Sequence, residues 1–340
     1  MENVLDIFNP TVSTIVEGVQ GKKILVYGDN GTGKTYNFVN PRTLVLAVEK
    51  GLNGLAGAKY IQITSWTHLL KIAKQILDPA NRDQLLKTYD RIVVDGLDLV
   101  DTMCSKYLCS VLGINSIGEG RGGFGCWDEY KAEFQKFTRP LLAEDNPFTV
   151  ICIDHRAERK FNNTDGGEFK TIYPAGEKRF IDPICNACDF IMYVEIPTDS
   201  TLSTAYFKRT RAYHARSRFR YMVDSIPEWN LEKLEAAIDD AIAQEKEANN
   251  GGVISMAEHE KKAAKEAKKV KPLNTIVEEV AGILGKMSKE ACDKYYKEGI
   301  LDGVLHNKEF RCTKATENDR EVVELVLSEL KKLPAEAFTA

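Results

Sequence analysis

One stretch of the chain combines the residue types that bind a nucleoside triphosphate. Residues 28–35 fit the pattern G-x-x-x-x-G-K-[ST] without a mismatch, and they follow an apolar run, Lys23–Tyr27, that is typical of a buried strand. Glycines in this pattern let backbone N–H groups point at phosphate oxygens, while Lys34 reaches the β- and γ-phosphates and the Thr35 hydroxyl binds Mg²⁺. The sequence therefore predicts ATP and Mg²⁺ as cofactors. The predicted nucleotide-binding residues are Gly28, Asp29, Asn30, Gly31, Thr32, Gly33, Lys34, Thr35 and Tyr36.

A carboxylate that could complete the metal site follows another apolar run. Residues 91–95 are predicted to form a strand that ends in Asp95. A phosphate-binding loop of this kind needs an acidic residue at the end of a second strand to position Mg²⁺. Asp98 is a competing carboxylate, and we favour a helix cap as its role. The predicted magnesium site therefore consists of Thr35 and Asp95.

Hydrolysis of a triphosphate also needs a group that orients the attacking water. Glu49 ends the predicted strand 43–48. Because the carboxyl ends of parallel strands meet at one edge of a sheet, this carboxylate should lie at the same edge as the phosphate-binding loop. An ordinary surface glutamate is the alternative interpretation.

Strand and helix patterns alternate through the first two thirds of the chain. The candidate strands are rich in β-branched residues, as expected of parallel strands buried on both faces, and segments with helical apolar spacing separate them. This alternation predicts a doubly wound α/β fold with a mostly parallel central sheet flanked by helices. The candidate strands are Lys23–Tyr27, Thr43–Val48, Tyr60–Ile63, Arg91–Asp95, Thr149–Ile153 and Asp189–Val194.

Other segments are expected to lie around this sheet. Residues 204–208 and 213–221 look like a hairpin at its end, and residues 156–179 read as a long polar loop without a clear period. The predicted domains are a core at residues 1–230, a helix and charged linker at 231–272, and a small α-helical C-terminal domain at 273–340.

Composition limits the class of protein. The 340 residues carry a net charge of −4, so nucleic-acid binding would have to come from a local patch. No apolar stretch approaches the ~20 residues that span a bilayer, and the first residues lack the features of a secretion signal. Eight scattered cysteines suit reduced thiols, and for Cys185 and Cys188 we favour core packing over metal binding. We therefore expect a cytoplasmic protein without membrane contact.

These features together resemble the RecA-like P-loop ATPases, and specifically the phage-encoded branch linked to single-strand annealing and recombination. The phosphate-binding loop carries the resemblance first. The strand that ends in Glu49 is similar to the family's strand with the catalytic glutamate. Residues 150–156 look like the strand whose terminal Gln or His senses the γ-phosphate, and residues 215–219 resemble a Lys-x-Arg strand. The resemblance covers about residues 15–230.

The resemblance implies roles for individual residues. Glu49 would position the attacking water or act as general base, and His155 would sense the γ-phosphate. Arg216 and Arg218 would reach the nucleotide of a neighbouring subunit in a ring or filament, although the first of them is Arg where the family has Lys. The expected catalytic residues are Lys34, Glu49, Asp95, His155, Arg216 and Arg218.

Single-stranded DNA is the expected macromolecular partner. Residues 207–220 hold six Lys or Arg and no acid, and residues 156–179 mix cations with aromatic side chains that could stack on bases. A glycine-rich loop at residues 114–126 is a second candidate. The expected DNA-binding residues are Arg121, Arg156, Arg159, Lys160, Phe161 and Lys170.

We expect an oligomeric ATPase that acts on single-stranded DNA in phage recombination, annealing or replication, in the cytoplasm of the bacterial host. Its C-terminal region would offer a surface for a single-strand-binding or replication protein. One alternative is a helicase-loading or partner-remodelling ATPase that does not bind DNA directly. Another is a P-loop kinase that phosphorylates a small molecule, although no acceptor pocket or arginine-bearing lid is evident.

Overall fold

The structure is a computed structural model that describes residues 12–120, 124–162, 166–248, 252–267, 271–316 and 319–338. Its strands are β1 (Ile15–Val16), β2 (Lys23–Gly28), β3 (Thr43–Ala47), β4 (Lys59–Gln62), β5 (Arg91–Asp95), β6 (Thr149–Asn162), β7 (Glu168–Pro174), β8 (Phe190–Glu195), β9 (Thr204–Tyr206), β10 (Arg216–Ser217), β11 (Ser225–Ile226) and β12 (Val253–Ile254).

The central sheet has the strand order β11-β9-β8-β2-β6-β5-β3-β4. The six strands from β8 to β4 are parallel to one another, and they correspond to the six apolar runs of the sequence. Their register aligns Gly28 with His155 and with Val194, so these residues share the carboxyl edge of the sheet. The mostly parallel α/β fold predicted from the sequence is confirmed.

Helices cover both faces of the sheet. The α-helices are α1 (Lys34–Phe38), α2 (Trp66–Leu77), α3 (Pro79–Thr88), α4 (Leu97–Leu112), α5 (Trp127–Leu141), α6 (Lys178–Ala187), α7 (Leu231–Ala248), α8 (Met256–Ala267), α9 (Leu273–Leu284), α10 (Lys289–Ala291) and α11 (Arg320–Lys331). Short 3₁₀ helices lie at Leu52–Gly54, Ile117–Glu119, Cys312–Lys314 and Ala335–Phe338.

Side chains of β2 show how the two layers are built. Leu25 and Tyr27 belong to the core on the face covered by α2, α4, α5 and α6. Ile24 and Val26 belong to the core on the other face, which α7 covers. Alternate residues of a strand point to opposite faces, so a continuous apolar run fills both cores at once.

The predicted polar loop at 156–179 is wrong. β6 continues out of the sheet to Asn162 and pairs antiparallel with β7, so that Arg156 lies opposite Pro174 and Asn162 opposite Glu168. Residues 155–162 alternate between half-buried and exposed, which is the period of a strand. Charged residues on the exposed face hide this period in the sequence, and α6 then begins at Lys178.

The predicted hairpin between residues 204 and 221 is also wrong. β9 and β10 do not pair with each other, because each pairs antiparallel with a different part of β8. β9 lies opposite Tyr193–Glu195, whereas β10 lies opposite Phe190 and Ile191. The short β11 then pairs with β9.

The chain divides into two compact units, Met1–His259 and Glu260–Ala340. The first unit extends beyond the predicted boundary at residue 230, because α7 buries Leu234, Ile238 and Ile242 in the core beneath the sheet. α7 is therefore part of the first unit, whereas the prediction grouped this helix with the charged linker that follows it.

The second unit has a helical core of its own. α9 and α11 agree with the α-helical character that the sequence predicts for this region, and they bury Ile276 and Val326 among other apolar residues. Between these helices, Cys292–Val304 is π-helical, which apolar spacing did not predict. In the described part of the chain, no helix has the length and apolarity needed to cross a bilayer.

Candidate nucleotide-binding and catalytic site

The phosphate-binding loop connects β2 to α1. Gly28 ends the strand against its neighbour β8, where an added Cβ would lie 2.0 Å from the carbonyl oxygen of Val194. Gly33 caps α1 with a left-handed φ of 78°, a conformation that glycine adopts without strain. α1 spans only five residues and stops before Pro41, so the expected contribution of a long helix dipole is small. Loop amides and Lys34 are the main anion-binding groups here.

Lys34 is folded back onto its own loop. Its Nζ donates to the carbonyl oxygens of Gly28 (2.9 Å) and Asp29 (2.6 Å), and the residue is only 8% exposed. Burial lowers the pKa of the ammonium, while the nearby carboxylates of Asp95 and Glu49 oppose that shift. The two carbonyls are the acceptors that phosphate oxygens would replace.

Thr35 and Asp95 meet between α1 and the end of β5. The Thr35 hydroxyl lies 3.2 Å from each carboxylate oxygen of Asp95. Burial raises the pKa of Asp95, and the hydrogen bond from Thr35 works against that rise. A hydroxyl and a carboxylate side by side are the hard oxygen donors that Mg²⁺ prefers, so these residues fit the expected ion.

A cleft of about 300 Å³ opens in front of these residues at the carboxyl edge of the sheet. Most of the predicted nucleotide-binding residues line it. Its lining residues are Asn30, Gly31, Gly33, Lys34, Thr35, Tyr36, Glu49, Gly51, Gly54, Leu55, Asp95, Gly96, Ile153, Asp154 and His155. Gly28, Asp29 and Thr32 lie in the same loop, where the Thr32 hydroxyl donates to the Asp29 carbonyl (2.8 Å).

Glu49 and His155 come together across the cleft. Glu49 follows β3, and its backbone N–H donates to the carbonyl of Asp95 (3.2 Å). His155 lies where β6 leaves the sheet, and its Nε2 is 3.8 Å from Oε2 of Glu49. The structure therefore brings Lys34, Thr35 and Asp95 to one edge of the sheet together with these two side chains.

Asp98 is not the helix cap that the sequence suggested. Gly96 is the N-cap residue of α4, and no side chain caps this helix. Asp98 lies in the first turn, and its Oδ2 is 3.2 Å from Nδ1 of His155. The contact joins the start of α4 to β6. No local pattern in either segment of the sequence predicts it.

Asp154 is a residue of the site that sequence reasoning missed. It is 1% exposed, and burial raises the pKa of its carboxyl well above the usual range. Its Oδ1 accepts from the backbone N–H of His155 at 2.9 Å. Asp154 follows an apolar run in the sequence, just as Asp95 does, and this pattern could have identified it as a residue of the site.

Arg216 and Arg218 do not reach the cleft of their own chain. Arg216 donates to the carbonyl oxygens of Cys185 (2.6 Å) and Cys188 (3.0 Å), and Arg218 donates to that of Asn186. These carbonyls lie at the carboxyl end of α6. The two arginines are thus at the amino edge of the parallel strands.

Each of the cations predicted to bind DNA that the structure describes has an acidic partner. Arg156 donates to Asp29 of the phosphate-binding loop (2.6 Å), and Arg159 pairs with Asp182 (2.6 Å). The side chain of Arg159 is 18% exposed and lies over the ring of Tyr173.

The remaining candidates lie along the β6–β7 hairpin. Lys160 pairs with Glu168 (3.5 Å) and Lys170 with Glu158 (2.6 Å). Phe161 stacks on Phe169 with 5.7 Å between ring centroids. Arg121 lies outside the described residues.

Cysteine chemistry adds nothing to this site. All eight cysteines are free, and Cys185 and Cys188 are buried. Among the residues that the structure describes, no group of His, Cys, Asp and Glu could by itself hold a metal ion.

Comparisons with known proteins agree with this geometry. Over 338 residues the chain is 31% identical to the SPbeta prophage-derived uncharacterized protein YorG of Bacillus subtilis strain 168, covering 98% of this chain and 99% of the relative. A family model described as an AAA domain matches residues 20–219.

Two solved structures show a weak similarity to this chain. The RadB recombinase is 15% identical over 62% of this chain and 87% of its own, with a TM-score of 0.35. The KaiC-like protein PH0186 of Pyrococcus horikoshii OT3 is 12% identical over 64% of this chain and 94% of its own, with a TM-score of 0.36. On the family match and the full-length relative, the chain belongs to the AAA domain family, as a P-loop ATPase with a mostly parallel α/β fold.

Proposed function

We propose that this protein binds ATP with Mg²⁺, hydrolyses it as an oligomer and acts on single-stranded DNA in phage recombination, annealing or replication. The observation that carries the proposal is the convergence of Lys34, Thr35 and Asp95 at one cleft, with Glu49 and His155 facing them. A prophage-derived relative supports a task inside a bacterial host.

Nucleotide binding follows from the groups that surround the cleft. Lys34 exchanges its two carbonyl acceptors for β- and γ-phosphate oxygens, which are stronger partners because they are charged. The N–H groups of the loop between Gly28 and Thr35 bind the remaining phosphate oxygens. Thr35 and Asp95 would hold Mg²⁺, which supplies positive charge to the β- and γ-phosphates when bound. Glu49 lies on the far side of the cleft. There its carboxylate accepts a hydrogen bond from the attacking water and so orients it.

The position of Arg216 and Arg218 supports catalysis between subunits. β10 pairs with the first residues of β8, which in turn lie beside Ile24 of β2. The phosphate-binding loop starts at Gly28, four residues or about 13 Å farther along the strand. Arginines at the amino edge are too far from the cleft of their own chain, so a role for them in hydrolysis would be exerted in trans on the nucleotide of a neighbour.

Only some cations of the β6–β7 hairpin are placed to contact a nucleic acid. The pairs of Lys160 with Glu168 and of Lys170 with Glu158 are exposed on both sides, and such pairs contribute at most about 1 kcal/mol. They can therefore be exchanged for phosphate contacts at little cost. Arg159 is held beneath the hairpin face by Asp182 and Tyr173 and is a structural residue.

The same ion pairs favour a second candidate function. Because each described cation of the hairpin already has an acidic partner, the hairpin presents little net charge. A hairpin of that kind suits a protein surface as well as a phosphate backbone. An ATPase that remodels or loads a protein partner is therefore the alternative.

ATP turnover with and without single-stranded DNA distinguishes these functions. Wild-type protein is assayed alone, with single-stranded DNA and with duplex DNA, while light scattering follows its mass; Lys34→Ala serves as the background. We expect single-stranded DNA to raise both the rate and the mass in the presence of ATP. ATP turnover that DNA leaves unchanged would contradict the DNA part of the proposal, and a wild-type rate equal to that of Lys34→Ala would contradict the ATPase site.

A further inference from the structure

His155 lies between two carboxylates that come from different elements. Its Nδ1 is 3.2 Å from Oδ2 of Asp98, at the start of α4, and its Nε2 is 3.8 Å from Oε2 of Glu49, after β3. The first distance is that of a hydrogen bond, and the second is too long for one. Asp98 thus anchors the ring, and Nε2 faces Glu49 across a gap.

The backbone around His155 is fixed as well. The buried carboxylate of Asp154 accepts from the N–H of His155 at 2.9 Å, and the N–H of Asp98 lies close enough to lower the pKa of the same carboxyl. This places the backbones of β6 and α4 against one side chain. The backbones of Asp98 and His155 are therefore both positioned by Asp154. A substitution that changes only the Asp98 side chain should leave these backbones in place.

The anchor also decides where the ring carries its proton. A carboxylate can only accept, so the bond to Asp98 requires the proton on Nδ1. In the neutral ring, Nε2 is then an acceptor. Two O–H···acceptor bonds of about 2.8 Å each, at the roughly 105° angle of water, let one water bridge acceptors about 4.4 Å apart, so a water beside the gap can reach both Nε2 and Glu49.

We propose that Asp98 is a positioning residue that holds His155 in the Nδ1–H form, so that Nε2 and Glu49 accept the two protons of the attacking water. A water held by two acceptors directs its lone pairs away from them, towards the phosphates bound at Lys34. In the step itself the water oxygen forms the new bond to the γ-phosphorus, the bond to the β,γ-bridging oxygen breaks and ADP leaves with those electrons. The water proton passes to Glu49 or His155. This inference rests on the ATPase site proposed above.

Asp98→Asn tests the inference with almost no change in volume. A neutral amide offers a donor as well as an acceptor and no longer selects one form of the ring. We expect kcat to fall by roughly 100-fold or more, towards the ~10⁴-fold lost when the same change is made in a catalytic carboxylate–histidine pair, while the KM for ATP stays within about 3-fold. Asp128→Asn is the matched control, because Asp128 is likewise the second residue of a helix, in the first turn of α5. Equal kcat values in the two variants would overturn the inference.

A double-mutant cycle separates positioning from general structural damage. If Asp98 acts through His155, Asp98→Asn should change kcat by less than about 2-fold in a His155→Ala background. A full additional loss in that background would show that Asp98 acts by another route. Wild-type protein that does not hydrolyse ATP would instead refute the proposed function, so the two failures can be told apart.

The wild-type protein offers a readout that needs no variant at Asp98. ¹⁵N NMR of the labelled histidines, with His155→Gln to assign the signal, reports which ring nitrogen carries the proton. We expect His155 protonated at Nδ1 whenever the ring is neutral. A neutral ring protonated at Nε2 would contradict the role of Asp98.

Discussion

At the scale of single residues, the Lys34 side chain is already positioned for a nucleotide. Its ammonium is buried among carbonyl oxygens and faces Asp95 and Glu49. The ammonium has therefore already lost most of its hydration before a nucleotide arrives. When the nucleotide binds, the lysine needs only to exchange carbonyl acceptors for phosphate oxygens. A charged group held in this way binds an anion more strongly than one that must leave water.

Lys34→Ala removes the cation while leaving the loop glycines in place. We expect ATP affinity to fall roughly 100-fold or more, because hydrogen bonds to charged groups contribute about 1.5–3 kcal/mol each. Titration calorimetry measures the affinity, and a thermal melt confirms that the variant folds. Affinity within about 3-fold of wild type would contradict the phosphate role of Lys34.

At the scale of elements, strands were predicted well and the contacts between them were not. Each parallel strand is a continuous apolar run, so it can be recognised from the sequence alone. The residues at the ends of β2, β3 and β5 then lie together at the carboxyl edge of the sheet. The continuation of β6 into the hairpin escaped because Arg156, Glu158 and Lys160 put charge on its exposed face. The contact of Asp98 with His155 escaped because it joins elements more than 50 residues apart.

His214 supports the hairpin in a way that depends on pH. Its ring stacks on Tyr173 with 4.3 Å between centroids, and burial, helped by nearby arginines, lowers its pKa to about 4. In the unfolded chain this pKa is about 6.5, so between these values the unfolded state binds more protons. The contribution of His214 to stability is thus complete above pH 6.5 and lost as the pH falls towards 4.

Thermal melts between pH 7 and pH 4.5 test this. We expect the melting temperature of His214→Phe to fall less over this range than that of wild type, because phenylalanine keeps the stacking and takes up no proton. His68→Phe, on α2, is the control and should follow wild type. Parallel curves for His214→Phe and wild type would contradict the assignment.

The hairpin lysines make the DNA proposal quantitative. Lys160→Ala with Lys170→Ala should weaken binding of single-stranded DNA and make the slope of log K against log salt less negative by about 1.4, or about 0.7 for each phosphate that a lysine no longer neutralises. Fluorescence anisotropy at several salt concentrations measures both quantities. The control is Lys71→Ala with Lys74→Ala, which removes the same charge from exposed positions of α2. An unchanged slope in the hairpin variant would exclude these lysines from the DNA interface.

At the scale of the whole molecule, the proposed function requires more than one chain. The cleft of the first unit holds groups for the phosphates, the metal and the water, yet its two candidate arginines lie at the opposite edge of the same sheet. A neighbouring copy can present that edge to the cleft. The second unit, Glu260–Ala340, has its own apolar core.

Arg218→Ala tests catalysis between subunits. Arg218 is half-exposed and lies 3.8 Å from Asp189, so its loss should leave the fold intact. We expect unchanged ATP affinity and a loss of turnover of about 10³-fold in the assembled protein, as for other arginines supplied in trans. Arg220→Ala, two residues along the chain, is the control. Wild-type turnover by Arg218→Ala in the assembled protein would rule out the trans role.

The most direct measurement is a structure of the protein with Mg²⁺ and a non-hydrolysable ATP analogue. We expect the β- and γ-phosphates within the loop of residues 28–35, with Nζ of Lys34 turned from the carbonyls of Gly28 and Asp29 to their oxygens. The metal should lie beside Thr35 and Asp95. Phosphates bound elsewhere, or a Lys34 that keeps its carbonyl partners in the nucleotide-bound protein, would contradict the account.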